Sequence, residues 1–130
     1  DGQGSGNNLD MFETMKLAAL AQGGIHEGEE RIGSKEVIQM ATINGAKLLG
    51  LDDKIGSIEV GKEADIILVD MAPTLDNVKR IPNKDIISNL VYNTEGSSVI
   101  TTIVRGKILM ENRKINHLPV EKILRQWKHS

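Results

Sequence analysis

The sequence predicts an α+β fold, and three observations predict it. Apolar residues recur at three- and four-residue spacing through most of the first 50 positions, the period of an amphipathic helix. Between 51 and 116 the pattern changes to short β-type runs separated by glycine, proline and asparagine, which reads as strands and turns. A last apolar stripe at helical spacing follows Pro119, a residue suited to the first turn of a helix. The expected organisation is therefore two helices in 1–50, a strand region in 51–116 and a C-terminal helix in 117–130.

From Asp10 to Gln22, the spacing of Met11, Met15, Ala18, Ala19 and Leu20 predicts the first helix, with Asp10 as its N-cap and Gly23-Gly24 as its end. A polar loop, "IHEGEERIG", follows. The stretch "SKEVIQMATINGAKLLG" predicts one second helix, with Ser34 as N-cap, Glu36 in the first turn and Gly50 as terminator. Its buried side is expected to carry Val37, Met40, Ala41, Ala46, Leu48 and Leu49. Asn44-Gly45 costs roughly 1 kcal/mol relative to better helix formers, which points to close packing against another element.

Beyond Gly50, a strand is expected at Ser57 to Val60, a turn at Gly61-Lys62 and a second strand at Ile66 to Val69. The run "APTLDNVKRIPNKD" is a loop, because its prolines cannot donate to a ladder. In "SSVITTIVRGKILMENRKI" the clearest hairpin runs from Val99 to Val104, turns at Arg105-Gly106 and returns over Lys107 to Met110. A further turn at Glu111-Asn112 leads to Ile115. In the last helix Val120, Ile123, Leu124 and Trp127 share one face.

Composition narrows the function. A net charge of −2 with scattered basic residues gives no footprint for nucleic acid or an anionic membrane. No apolar run approaches membrane-spanning length. The absence of cysteine excludes thiolate chemistry and is compatible with a reducing cytoplasm. With Phe12, Tyr92 and Trp127 the only aromatics, stacking platforms for bases or sugars are not on offer.

The opening run "DGQGSGNNLDMFETMK" invites two site readings that fail. Gly2, Gly4 and Gly6 resemble a phosphate-cradling loop, but no Gly-Lys-Ser/Thr follows and no strand precedes. Asp1, Gln3, Ser5 and Gly6 resemble the start of a calcium loop, but Phe12 stands where the bidentate glutamate belongs, with Glu13 one residue late. His26, His117 and His129 lack the spacing of a metal helix and read as solvated residues. A catalytic-looking loop at residue 1, with Asp in place of Met, is expected to belong to a longer protein.

At "DGQGSGNNLDMFE", "MATINGAKLLGLDDKIGSIEVGKEADIILVD" and "NLVYNTEGSSVITTIVRGKILMENRKI" the sequence resembles the amidohydrolase superfamily. The similar branch is that of methylthioadenosine/S-adenosylhomocysteine deaminases and s-triazine chlorohydrolases. Asp1, Gly2, Ser5, Asn7, Asn8, Leu9 and Asp10 fall on that branch's pattern, whereas Gln3 and Gly6 depart from its usual alanine and asparagine. The resemblance implies that 1–50 is the last strand-end and helices of a (β/α)8 metallo-dependent hydrolase barrel. It also implies that 51–116 is a portion of a small β-sandwich and 117–130 the C-terminal helix.

For Asp1 the resemblance implies two linked roles: contact with a divalent metal, zinc or else iron, and proton transfer at the end of a barrel strand. Its carboxylate would take the proton of a water attacking the ring carbon that bears the amine, then return one to the leaving group. For Ser5 it implies contact with substrate, and a hydroxyl bonded to its own loop backbone is the equal alternative. The expected partner is a small heterocycle or nucleoside, and the expected assembly is a homo-oligomer. By itself the chain is expected to bind no metal and to be inactive, the other class of reading being a non-catalytic α+β module that self-associates.

Overall fold

The structure is a computed structural model and describes residues 8–25, 32–71, 86–116 and 118–127. Helix α1 spans Met11–Ile25. Asp10 caps it as expected: its Oδ1 accepts the Phe12 N–H at 2.9 Å and its carbonyl accepts the Thr14 N–H at 3.1 Å. The helix does not stop at Gly23-Gly24 but continues to Ile25. Each glycine weakens a helix by about 1 kcal/mol without removing a ladder bond. Among the described side chains Phe12, Met15 and Ala19 form the buried stripe.

The second helix expected from the sequence is two helices, α2 at Ser34–Ala41 and α3 at Ile43–Leu48. They break at Thr42, where φ is −129° and ψ is −101°. The Thr42 hydroxyl donates to the Ile38 carbonyl at 2.6 Å and its N–H turns to Gln39 O at 3.2 Å. A β-branched residue bonding back to the preceding turn in this way bends a helix. The N-cap is Gly33, not Ser34, and the Ser34 hydroxyl donates instead to Ser88 Oγ at 3.3 Å.

Gly50 does terminate α3. At φ +66° it supports bonds from Gly50 N to Lys47 O (3.0 Å) and from Leu51 N to Ala46 O (2.9 Å), the paired closure that a left-handed residue allows after a helix. At Gly45 the close approach is local: a Cβ there would lie 3.2 Å from the Met40 carbonyl, across the break between α2 and α3. Of the side chains expected inside, Val37 and Ala46 are buried and Ala41 is half-buried, but Met40, Leu48 and Leu49 face outward.

Residues 57–60 form no strand. Lys62 Nζ donates to Ser57 Oγ at 2.6 Å, Ser57 Oγ donates to the Glu59 carboxylate, and Lys62 N bonds Glu59 O at 3.2 Å. These local bonds compete with a ladder, and Ile58 and Val60 project outward. The Gly61-Lys62 turn is present, with Gly61 at φ +95°.

Strands β1 (Ile66–Val69), β2 (Val99–Val104), β3 (Lys107–Glu111) and β4 (Lys114–Ile115) form one antiparallel sheet in the order β1-β2-β3-β4. Arg105 and Gly106 both have positive φ, as a two-residue hairpin matched to strand twist requires. Asn112 and Arg113 repeat the arrangement, one residue later than expected because Glu111 remains in the ladder opposite Lys114. Ahead of β2 lie helix α4 (Ile86–Tyr92), which the sequence reading missed, and a 3-10 turn at Gly96–Ser98. Helix α5 spans Val120–Trp127. The expected loop at 72–85 lies outside the described residues.

The core joins α1, α2 and α4 through Phe12, Met15, Ala19, Val37 and Val91, with Val69 and Val99 of the sheet packed against it. No described helix is long and apolar enough to cross a membrane.

Candidate functional site

Asp1 and Ser5, the two site residues named from sequence, lie outside the described residues, as do His26, His117 and His129. The described chain begins at Asn8, which is the root of the segment that carries them. Local geometry fixes that root firmly. Asn8 Nδ2 donates to the Glu13 carboxylate. Asp10 uses both carboxylate oxygens: Oδ1 takes the Phe12 N–H, and Oδ2 accepts the N–H of Gly96, 86 positions away, at 2.7 Å. The N-terminus of α1 is thereby tied to the turn that feeds β2.

A cleft of about 410 Å³ opens at this junction, lined by Asn8, Asp10, Glu13, Lys16, Leu17, Leu20, Thr94 and Glu95. Its far wall is held from inside. The buried Thr94 hydroxyl donates to the Asn89 carbonyl at 3.1 Å, and the buried Asn89 accepts from Asn93 Nδ2 at 2.7 Å. A larger cleft of about 730 Å³ lies between β4 and α5, with Arg113, Lys114, Lys122 and Arg125 around Ile115, Leu118 and Val120. It shares no residue with the first.

Among the described residues no three His, Cys, Asp or Glu side chains gather as a metal site would require. Of the acids lining the α1 cleft, Asp10 already accepts the N–H groups of Phe12 and Gly96, and Glu13 accepts from Asn8. The described residues therefore do not fit a resident metal ion. Among the described residues, the carboxylate displaced from its ordinary range is that of Glu59, held below it first by the Ser57 hydroxyl and then by Lys62, in the turn before β1.

Residues 94–96 and α4 were not singled out from sequence. The signal present was weak: "YNTEG" has turn residues, but nothing in it marks a partner 86 positions upstream.

A profile of the amidohydrolase family matches residues 1–109, and the chain belongs to that family. The 5-methylthioadenosine/S-adenosylhomocysteine deaminase of Acetivibrio thermocellus is 45% identical over 123 residues, covering 95% of this chain and 28% of the deaminase. A zinc-bound adenosine deaminase from Xanthomonas campestris superposes with a TM-score of 0.83 at 30% identity, over 99% of this chain and 29% of that one. Atrazine chlorohydrolase from Arthrobacter aurescens, complexed with zinc, gives a TM-score of 0.69 at 29% identity, over 91% of this chain and 25% of its own. The chain thus spans between a quarter and a third of the length of these relatives.

Proposed function

We propose that this chain is a segment of a longer metal-dependent amidohydrolase that hydrolytically deaminates an adenosine-type nucleoside. The observation that carries the reading is the 45% identity, over 95% of the chain, to a methylthioadenosine/S-adenosylhomocysteine deaminase. The 29% identity to a chlorohydrolase supports loss of chloride from a triazine less well. In this reading 1–50 is the end of a barrel, 51–116 a sandwich portion and 117–130 a terminal helix. A bound divalent ion, zinc by analogy with the two compared structures, would supply Lewis acidity, held mainly by residues of the longer protein.

Asp1 is the group this chain contributes to the chemistry. Its carboxylate takes a proton from the water that adds to the ring carbon bearing the amine and returns a proton to the departing ammonia, a general base and then a general acid. Ser5 contacts the substrate from the same segment. The resemblance assigns this chain a single metal ligand, Asp1, whereas a zinc centre takes three protein ligands even in an open site, so the 130 residues alone are expected to be inactive. The absence of cysteine fits action in the cytoplasm. The exposed apolar surface supports self-association of the isolated chain, the role left to it as a non-catalytic module.

The test uses the purified chain with zinc and with 5-methylthioadenosine. Metal analysis is expected to find no stoichiometric zinc, and the ultraviolet spectrum no deamination. Bound zinc with turnover would overturn the inactive-segment reading. Extending the reading frame upstream of Asp1 is expected to restore both.

A further inference from the structure

We infer that Asp10 is a positioning residue: its carboxylate clasps the N-terminus of α1 to Gly96 and so fixes the root of the segment that carries Asp1 and Ser5. The inference rests on the proposed role of Asp1 and adds a residue that it does not need.

The geometry has two halves that can be separated. A cap requires one acceptor, and Oδ1 supplies it to Phe12 N. Oδ2 is not needed for capping, yet it accepts the Gly96 N–H at 2.7 Å, the length of a charge-assisted bond. Gly96 is shaped for this contact. A Cβ there would lie 3.0 Å from Oδ2 and 3.1 Å from Cγ of Asp10, and its φ is not in the left-handed region, so any larger residue would push the Asp10 carboxylate back while meeting no backbone strain of its own. Behind Gly96, buried Thr94 and Asn89 hold the turn through side-chain bonds. Only one residue, Leu9, separates Asp10 from Asn8, which is itself bonded to Glu13. The root of the segment is therefore referenced to α4 and β2 as well as to its own helix. A displacement of 1 Å at a reacting group can cost on the order of 10²-fold in rate, which is the reason such a root needs fixing.

Asp10→Asn separates the halves, since the amide keeps an oxygen for Phe12 N but turns an N–H donor toward the Gly96 N–H. Gly96→Ala presses on the same bond from the other side. In the 130-residue chain, residue-resolved hydrogen exchange is expected to show the Gly96 amide exchanging about tenfold faster or more in Asp10→Asn. That corresponds to loss of a bond of at least about 1.4 kcal/mol. The Phe12 amide is expected to change less than about threefold. An unchanged Gly96 amide overturns the clasp.

In the longer hydrolase both variants are expected to lower kcat about tenfold or more with KM little changed. The loss should be non-additive with Asp1→Asn, the mark of a residue acting through another. Unchanged kcat, or strict additivity, overturns the positioning role. If Asp1→Asn alone retains full turnover, the proposed role of Asp1 fails and takes the positioning role with it, while exchange at Gly96 still decides the clasp.

Discussion

Gly56 shows how closely the chain returns on itself at the scale of one residue. At φ +91° it lies where a Cβ would be 2.7 Å from Ala46 Cβ and 2.9 Å from Ile43 Cα. Gly56→Ala combines left-handed strain with overpacking, each on the order of 1–2 kcal/mol. The expected outcome is a loss of about 3 kcal/mol in a urea titration of the chain. Glu59 gives the pH-dependent counterpart. Its carboxyl is held below its ordinary range by Ser57 and Lys62, so the contribution of these bonds is present above the unfolded carboxylate pKa and lost as pH falls through the lowered one. Carboxyl-detected NMR titration is expected to move the Glu59 midpoint up toward the ordinary value in Ser57→Ala. An unmoved midpoint would show that the hydroxyl is not the cause. Asp10 was legible from sequence as a cap, because capping is a local pattern. Its second bond was not, since contact with Gly96, 86 positions away, depends on how the chain between them folds.

Elements were legible where a period or a turn fixes them locally. Strand β1 and the β2–β3 hairpin follow the expected bounds to within a residue, because the alternating runs and the Arg105-Gly106 turn agree. The single helix expected over 34–49 failed at Thr42, where a hydroxyl competes with the ladder. The strand expected at 57–60 failed because side-chain bonds to Lys62 and Glu59 hold a turn there. Helix α4 was missed because it is only seven residues long, too short for its period to emerge from the neighbouring loop. Its importance is nonetheless testable alongside that of α2. Val37 of α2 and Val91 of α4 are fully buried in the shared core, and Val37→Ala is expected to cost about 2 kcal/mol. In a chain of this size that lowers Tm by about 7 °C. A shift under 1 °C would mean that this core does not hold the helices together.

The molecule as a whole presents more apolar surface than a free-standing domain needs. The sheet carries exposed apolar side chains on both faces, Ile67 and Ile115 on one and Leu68 and Ile108 on the other. A sheet apolar on both faces is ordinarily covered on both. Helix α1 buries Phe12 and Met15 yet exposes Leu17 and Leu20, as a helix meant for burial on two sides would. In α5, Trp127 is 79% exposed at the end of an apolar stripe. The isolated chain is therefore expected to associate, with light scattering giving a mass that rises with concentration and Trp127 emission shifting to the blue. A constant monomer mass with red-shifted Trp127 would contradict it.

If the segment supplies its carboxylate to a deaminating hydrolase, turnover of 5-methylthioadenosine depends on Asp1. The measurement compares the full reading frame with its Asp1→Asn variant, zinc content being measured in both. A fall in kcat of at least about 10²-fold is expected in Asp1→Asn, the contribution of a positioned acid–base group. Equal turnover in the two proteins, or no deamination by either, would contradict it.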